Sequence, residues 1–124
     1  MGINANQFTS TSLLSARQIT STTTGAAVDV MLLKGKGKIV LQCGAATAGT
    51  NPTVTVKLTH CTTSGGSYSD VSGIAFTAVT DAASTQQKYI DWDSVHRYVK
   101  VVATVGGTNT PTFQLAVHAE SITS

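Results

Sequence analysis

The chain has 124 residues, of which 11% are charged, and its formal net charge at pH 7 is +2. This length fits one domain with one hydrophobic core. The eight Lys and Arg residues are dispersed, which argues against the basic stripe of a nucleic-acid-binding protein. No apolar run has signal-peptide length or approaches the roughly 18 residues of a membrane span. We therefore expect a protein that is not secreted through a signal peptide, with neither nucleic acid nor a membrane as a partner.

The composition predicts β-structure with an irregular beginning. Ser and Thr together make up roughly a quarter of the chain, about the share that charged residues take in an average soluble domain. β-Branched residues favour strands, and glycine, which occurs 11 times, favours the turns between them. Residues 1–25 show little periodicity and are rich in Ser, Thr, Asn and Gln. We predict an extended N-terminal arm over 1–25, which is either mobile or laid on a neighbouring surface, and a folded domain over 26–124.

Alternation of apolar and polar residues with a period of two begins near residue 26. The fold class that this pattern indicates is all-β, a single β-sandwich of jelly-roll-like type with an extended N-terminal arm. The run Lys34–Lys38 is interpreted as a glycine turn that joins the first two strands in a hairpin, and Gly106–Gly107 as the turn before the last strand. Strands are predicted over residues 26–33, 38–43, 53–61, 74–79, 86–92, 97–105 and 113–117.

Few residues suggest chemistry, and no catalytic motif is recognised. The three histidines do not form a spaced ligand set, so we predict no metal, and we predict no other cofactor. Asp91 and Asp93 would lie about 7 Å apart on one strand face, a spacing that some glycosidases use. Arg97 is near enough in sequence to pair with either carboxylate, which favours an ion pair over catalysis. The chain is therefore not expected to be an enzyme.

The remaining conspicuous residues have structural or binding interpretations. Cys43 and Cys61 lie in predicted strands and are expected to be buried free thiols. Trp92 is expected to be a core residue. Lys34, Lys36 and Lys38 would sit together at a hairpin tip, either as a solvated tip or as a docking point for an acidic protein surface.

Four stretches of the sequence form a pattern seen in other proteins. They are VKLTHCTTSGGSYSD at 56–70, YIDWD at 89–93, RYVKVVATVGG at 97–107 and PTFQLAV at 111–117. Together they resemble small virion proteins of tailed phages, and roughly residues 26–119 take part in the resemblance. In those proteins a strand that ends in a polar loop precedes a strand that opens with Arg-Tyr-Val, and the fold is a β-sandwich or jelly roll.

Within that group the chain looks most like a capsid decoration, or cement, protein. The resemblance implies a protein on the outer surface of the virion capsid, assembled in the host cytoplasm. Its partners would be the major capsid protein and further copies of itself, in a dimer or trimer. It would stabilise the expanded head. The implied contact residues belong to the arm and to the lysine run, and they are Phe8, Leu13, Leu14, Arg17, Lys34, Lys36 and Lys38.

A second interpretation is a carbohydrate- or receptor-binding module of a phage tail or head fibre. The Arg-Tyr-Val motif after a polar loop also resembles discoidin-type jelly rolls, in which loops at one end hold a sugar. This chain is shorter and lacks the cysteines near both ends that many discoidin domains use. The glycan-binding residues implied by this alternative are Tyr68, Asp70, Trp92 and Asp93.

Overall fold

The computed structural model describes the backbone of residues 8–122 and the side chains of residues 10–121. Strands make up most of this part of the chain, and the all-β, β-sandwich-like class predicted from the sequence is confirmed. Residues 1–7, the first part of the predicted arm, lie outside the described residues. The strands are β1 (Phe8–Ile19), β2 (Thr23–Thr24), β3 (Val28–Asp29), β4 (Lys36–Cys43), β5 (Ala48–Cys61), β6 (Ser69–Ala75), β7 (Ser84–Asp91) and β8 (Tyr98–Ile122), and a 3-10 turn spans Trp92–Ser94.

The longest strand, β8, is the centre of the sheet and pairs antiparallel with five other strands. Its first half, residues 98–105, lies between β5 on one side and β2 and β3 on the other. Its second half, residues 113–122, lies between β4 and β1. β7 lies beside β4, and β6 lies beside β5, so the strands form two sheets that are each four strands wide. We call them sheet A (β1, second half of β8, β4, β7) and sheet B (β2 and β3, first half of β8, β5, β6).

β8 passes from one sheet to the other through a bend at residues 106–112. Gly107 has a φ of 109°, and Asn109 and Thr110 have φ values of 61° and 55°. A Cβ atom on Gly107 would lie 2.7 Å from the carbonyl oxygen of Asn51, so only glycine fits there. The prediction that Gly106–Gly107 is a turn between separate strands is wrong. The chain bends and continues, because β5 follows it around the corner, with Thr50 opposite Thr108.

Residues 8–19, which the sequence assigned to the arm, form β1 and pair with the second half of β8. The register shifts between Ser12 and Leu14 and again between Leu14 and Arg17. A regular strand sends neighbouring side chains to opposite faces, and a bulge relaxes this rule. Leu13 and Leu14 are therefore both buried, at 3% and 2% exposure. The described part of the arm thus contributes to the core.

The predicted hairpin around Lys34–Lys38 is also wrong. β3 has only two residues and pairs with β8, whereas β4 pairs with β7 and β8. Asp29 accepts a hydrogen bond from the backbone N–H of Met31 at 2.9 Å. The N–H of Leu33 donates to the carbonyl of Val30, also at 2.9 Å. These bonds turn the chain at residues 30–33, which precede Gly35 and Gly37 of the predicted hairpin.

The predicted strand at 74–79 is displaced toward the amino terminus, where β6 begins at Ser69. Val79 forms only an isolated bridge to Val54 on β5. Thr77 lies between β6 and Val79 in the chain. The amide side chain of Gln86 on β7 makes two 2.8 Å hydrogen bonds to the backbone of Thr77, one as acceptor and one as donor. Gln86 therefore ties the β7 edge of sheet A to the segment beside β5.

The core lies between the two sheets and consists of the side chains that the strands direct inward, which along a regular strand are those of every second residue. Trp92 contributes to one end of it, at 3% exposure, as the sequence predicted. Its indole Nε1–H donates to the carbonyl of Glu120 at 2.8 Å. The residues with exposures of 1% or less include Ile39, Leu41, Val54, Val56, Leu58, Val99, Val101, Phe113 and Val117.

Gly37 permits this contact between Trp92 and β8, so we expect Gly37→Ala to be strongly destabilising. Its Cβ would overlap the carbonyl oxygen of Glu120 and lie 2.7 Å from the indole nitrogen of Trp92. Overpacking of this kind costs about 3 kcal/mol. Chemical denaturation should measure this loss. Gly65→Ala is the matched control, because nothing lies within 4 Å of its added Cβ. Equal stabilities of the two variants would show that Gly37 is not constrained in this way.

Candidate functional site

The outer face of sheet A is broad and combines charged residues with hydroxyl and amide side chains. Residues directly opposite each other in an antiparallel pair share a face, so the register identifies the outward side chains. The row Ser10, Glu120, Lys38 and Tyr89 crosses all four strands, and the next row is Ser12, His118, Val40 and Gln87. Most of these groups are hydroxyls, amides or small apolar groups.

A shallow groove of about 520 Å³ lies at one end of this face. Arg17 and Gln18 border it from β1, Gln114 from β8 and Gln42 from β4. The guanidinium of Arg17 donates to the carbonyl and hydroxyl oxygens of Ser15, at 3.3 and 3.2 Å. Within residues 10–121, no carboxylate lies within 4.0 Å of Arg17. The groove therefore offers hydrogen-bonding amides and a positioned cation to a polar partner group.

The other charged groups of this face mostly have partners within the chain. Lys36 contacts Asp91 at 3.4 Å, and His118 contacts Glu120 at 3.2 Å. The ammonium group of Lys38 donates to the amide oxygen of Gln87 at 3.4 Å. Such exposed pairs add little to stability, but they leave few bare charges that a partner would have to desolvate.

Tyr89 projects from the same face and is 79% exposed, the largest exposure among the large hydrophobic residues of the described chain. Tyrosine is enriched at the energetic centres of protein interfaces because it offers a wide apolar surface and a polar tip. Alternation of β7 alone would predict its outward direction. The sequence could not show that Tyr89 shares a face with Glu120 and Ser10, because that depends on the strand order.

The structure brings together only part of the predicted partner-binding set. Lys36 and Lys38 lie on the outer face of sheet A. Arg17 is paired with the buried Leu115 and lies at the β1 edge of the sheet, beside the groove. Leu13 and Leu14 are buried in the core, so their side chains are not available to a partner protein.

The other two members of that set lie apart from this group or cannot be placed. Lys34 lies in the segment before β4, beside a different cavity. Of Phe8, the structure describes only the backbone, paired with Ile122.

The four residues of the glycan-binding alternative do not form one site. Tyr68 and Asp70 lie on the outer side of sheet B, where the ammonium of Lys100 sits 4.6 Å from the Tyr68 ring centre and Lys57 contacts Asp70 at 2.8 Å. Trp92 is buried, so its ring is not available for stacking on a sugar.

Asp91 and Asp93 also lack the predicted common strand face. β7 ends at Asp91, which caps the 3-10 turn by accepting from the N–H of Asp93. Asp93 accepts instead from the N–H of Gly35 at 3.1 Å. Arg97 pairs with neither of them but with Asp29, at 2.9 Å. Hydrogen bonding from Arg97 lowers the pKa of the Asp29 carboxyl below its ordinary value.

Two histidines that seemed unrelated in the sequence are stacked. The rings of His60 and His96 have centres 4.1 Å apart and planes inclined by 15°. The Nδ1 atom of His60 accepts from the backbone N–H of His96 at 3.1 Å, which requires this nitrogen to be unprotonated. Burial, and then the nearby charge of His96, lower the pKa of His60.

The two cysteines are free and buried, as predicted, but their surroundings differ. Burial raises the pKa of the Cys43 thiol. Hydrogen bonding from the backbone of Thr63 lowers the pKa of the Cys61 thiol, and Lys100 acts in the same direction. Cys61 is therefore the thiol with more thiolate character at neutral pH.

Among the described residues, no group of three or more His, Cys, Asp or Glu side chains is arranged to hold a metal ion. That part of the chain also contains no helix long and apolar enough to cross a membrane. In comparisons with known proteins, neither a family model nor a curated protein matches the chain.

The stacked histidines predict a pH-dependent stability. Because the pKa of His60 is lower in the folded than in the unfolded state, the unfolded chain binds the proton more readily. The free energy of unfolding should therefore fall as the pH drops below about 6.5, the ordinary histidine pKa, toward the lowered value. Urea titrations across this range should show a shallower dependence for His60→Gln. An identical dependence in wild type and variant would refute the role of His60.

The cysteines predict an unequal reactivity toward an alkylating reagent. At neutral pH, iodoacetamide should modify Cys61 faster than Cys43, because the thiolate is the reactive form. Mass spectrometry of peptides from the native protein measures both rates in one sample, so each thiol is the control for the other. Faster modification of Cys43 would contradict the described environments.

Proposed function

We propose that this chain is a structural virion protein that binds the lattice of a major capsid protein and stabilises the expanded head. The alternative is a carbohydrate- or receptor-binding module of a tail or head fibre. The observation that carries the proposal is the outer face of sheet A, a wide surface with few unpaired charges around an exposed Tyr89.

The character of this face suits contact with another protein. Interface centres are depleted of charged residues and enriched in tyrosine and arginine. Tyr89 on this face and Arg17 at its β1 edge are residues of these types, and the groove beside Arg17 could take a polar group of the partner. The surrounding Ser, Thr and Gln side chains can form hydrogen bonds at a low desolvation cost.

The exposed tyrosines of the two sheets differ, and this difference supports the choice of sheet A. On sheet B the ammonium group of Lys100 lies 4.6 Å from the ring centre of Tyr68. On sheet A the side chain of Tyr89 is 79% exposed and is open to a partner. Ion pairs occur on both faces, so they do not distinguish the two sheets.

The resemblance to small phage virion proteins supports the location on a capsid. Two of the resembling stretches, at 97–107 and 111–117, lie almost entirely within β8, and the stretch at 56–70 runs from β5 into β6. The resemblance therefore concerns the strands that organise the fold. A chain that binds neighbouring capsid subunits only after expansion would stabilise the expanded state by its binding free energy.

The carbohydrate-binding alternative now depends on the groove rather than on Tyr68, Asp70, Trp92 and Asp93. Gln18, Gln42 and Gln114 could exchange hydrogen bonds with sugar hydroxyls, and this is the observation that favours the alternative. A glycan array probed with the wild-type chain would test it. Binding that depends on Gln42 or Gln114, with no binding to capsids, would favour a tail or head-fibre module.

The main prediction is saturable binding to capsids that have been stripped of accessory proteins. Sedimentation should give a fixed ratio of chain to capsid subunit. In the double variant Arg17→Ala/Tyr89→Ser, affinity should fall roughly 30-fold, the effect of losing one interface hot spot. The matched control is Thr55→Ala/Thr104→Ala on the outer face of sheet B, which should bind like wild type. Absence of wild-type binding would refute the proposed function, and equal loss in both variants would refute the assigned face.

A further inference from the structure

One edge of sheet A is open within the part of the chain that the structure describes. There, β7 pairs with β4 and with no other strand. The N–H of Trp92, which follows β7, donates to the carbonyl of Gly35, which precedes β4. Because the hydrogen-bonding direction alternates along a strand, the backbone groups of Thr85, Gln87 and Tyr89 point away from β4. These groups have no backbone partner among the described residues, so the edge can accept a further strand.

The other edges carry features that discourage pairing with a further strand. The pairing of β1 with β8 shifts twice in register, and that of β6 with β5 shifts once. Gly73 on β6 has a φ of 79°, and β2 and β3 have only two residues each. Bulges and short strands are common means of protecting a sheet edge. β7 has neither, because its eight residues pair with β4 without a shift.

The outward side chains of β7 favour a second copy of this chain as the added strand. Tyr89 is 79% exposed, and Thr85, on the same face of β7, borders the groove of about 520 Å³. In an antiparallel pair of two β7 strands centred on Gln87, Tyr89 of each copy lies opposite Thr85 of the other. Neighbouring strands are about 4.8 Å apart, so each tyrosine ring reaches the border of the other copy's groove. The protruding side chain and the groove therefore meet twice in one dimer.

The charge along β7 selects the same register. With Gln87 at the centre, Lys88 lies opposite Gln86 of the second copy, so no like charges are opposed. A pairing centred on Lys88 would place two ammonium groups directly opposite each other, which is destabilising. A pairing centred two residues beyond Gln87 would be shorter, because the strand ends at Asp91. The register centred on Gln87 pairs residues 84–90 of both copies and thus uses nearly the whole strand.

We propose that β7 pairs antiparallel with β7 of a second copy, so that sheet A continues across a two-fold axis at Gln87. This contact goes beyond the proposed function, which concerns binding to a capsid protein. Each copy uses the same surface, so the contact closes in a dimer and does not continue into a fibre. The axis is perpendicular to the joined sheet, and the outer faces of both copies therefore lie on the same side.

Sedimentation velocity of the full chain tests the dimer. Wild type should change from monomer to dimer as its concentration rises. Gln87→Pro removes the N–H at the centre of the pairing, and the fold should tolerate it because this N–H points away from β4. The variant should dimerise roughly tenfold more weakly, since each copy loses one hydrogen bond. The matched control, Gln87→Ala, keeps the N–H and should dimerise like wild type.

Cysteine cross-linking tests the register and does not depend on the proline variant. Two residues in a hydrogen-bonded antiparallel pair have Cα atoms about 5.5 Å apart, a distance that a disulfide can bridge. Gln87→Cys should therefore form a disulfide-linked dimer on oxidation. Tyr89→Cys should not, because its two copies would be about 14 Å apart. Wild type, in which Cys43 and Cys61 are buried, is the control.

Three results would overturn the proposal. A wild-type chain that remains monomeric at every concentration would exclude the dimer. Dimerisation of Gln87→Pro that equals that of wild type, with thermal unfolding showing a folded variant, would exclude the β7 edge. Linkage of Tyr89→Cys in preference to Gln87→Cys would exclude the register. Because no capsid is present in these experiments, their results are independent of the proposed function.

Discussion

The bend of β8 at residues 106–112 is the constraint on which the rest of the structure depends. It allows one strand to be central in both sheets, so that five other strands use it as a template. Gly107 makes the corner possible because its backbone approaches the Thr50 and Asn51 carbonyls more closely than any side chain would permit. This arrangement decides which strands become neighbours, and it therefore decides which side chains lie on the outer face of each sheet.

The two outer faces differ in what their side chains already contact. On sheet B, arginine, lysine, tyrosine and aspartate side chains satisfy one another within the chain. On sheet A, Lys36 and His118 also have carboxylate partners, but Tyr89 projects outward and is 79% exposed, and Arg17 lies at the β1 edge beside the groove.

Local patterns in the sequence predicted much of the fold but not its connections. Alternation gave β4, most of β5 and β7, and the inward direction of Trp92. It failed for β1, because two bulges bury the adjacent Leu13 and Leu14, and a regular period of two cannot include both. It also failed at Gly106–Gly107, since a glycine pair is compatible with a turn or with a bend. Only the pairing of β5 around the corner distinguishes these cases.

The candidate surfaces were less predictable than the fold because they depend on which strands become neighbours. Arg17, Lys36 and Lys38 could be proposed individually, but not the groove that places Arg17 beside Gln42 and Gln114. The stacking of His60 on His96 likewise joins residues that are distant in sequence.

The central claim is that the outer face of sheet A is the contact surface on a capsid. An electron-microscopy map of stripped capsids decorated with this chain tests it most directly. The account predicts that sheet A faces the lattice, with Tyr89 and Arg17 at the contact and sheet B directed to solvent. A map in which sheet A faces solvent would contradict the account.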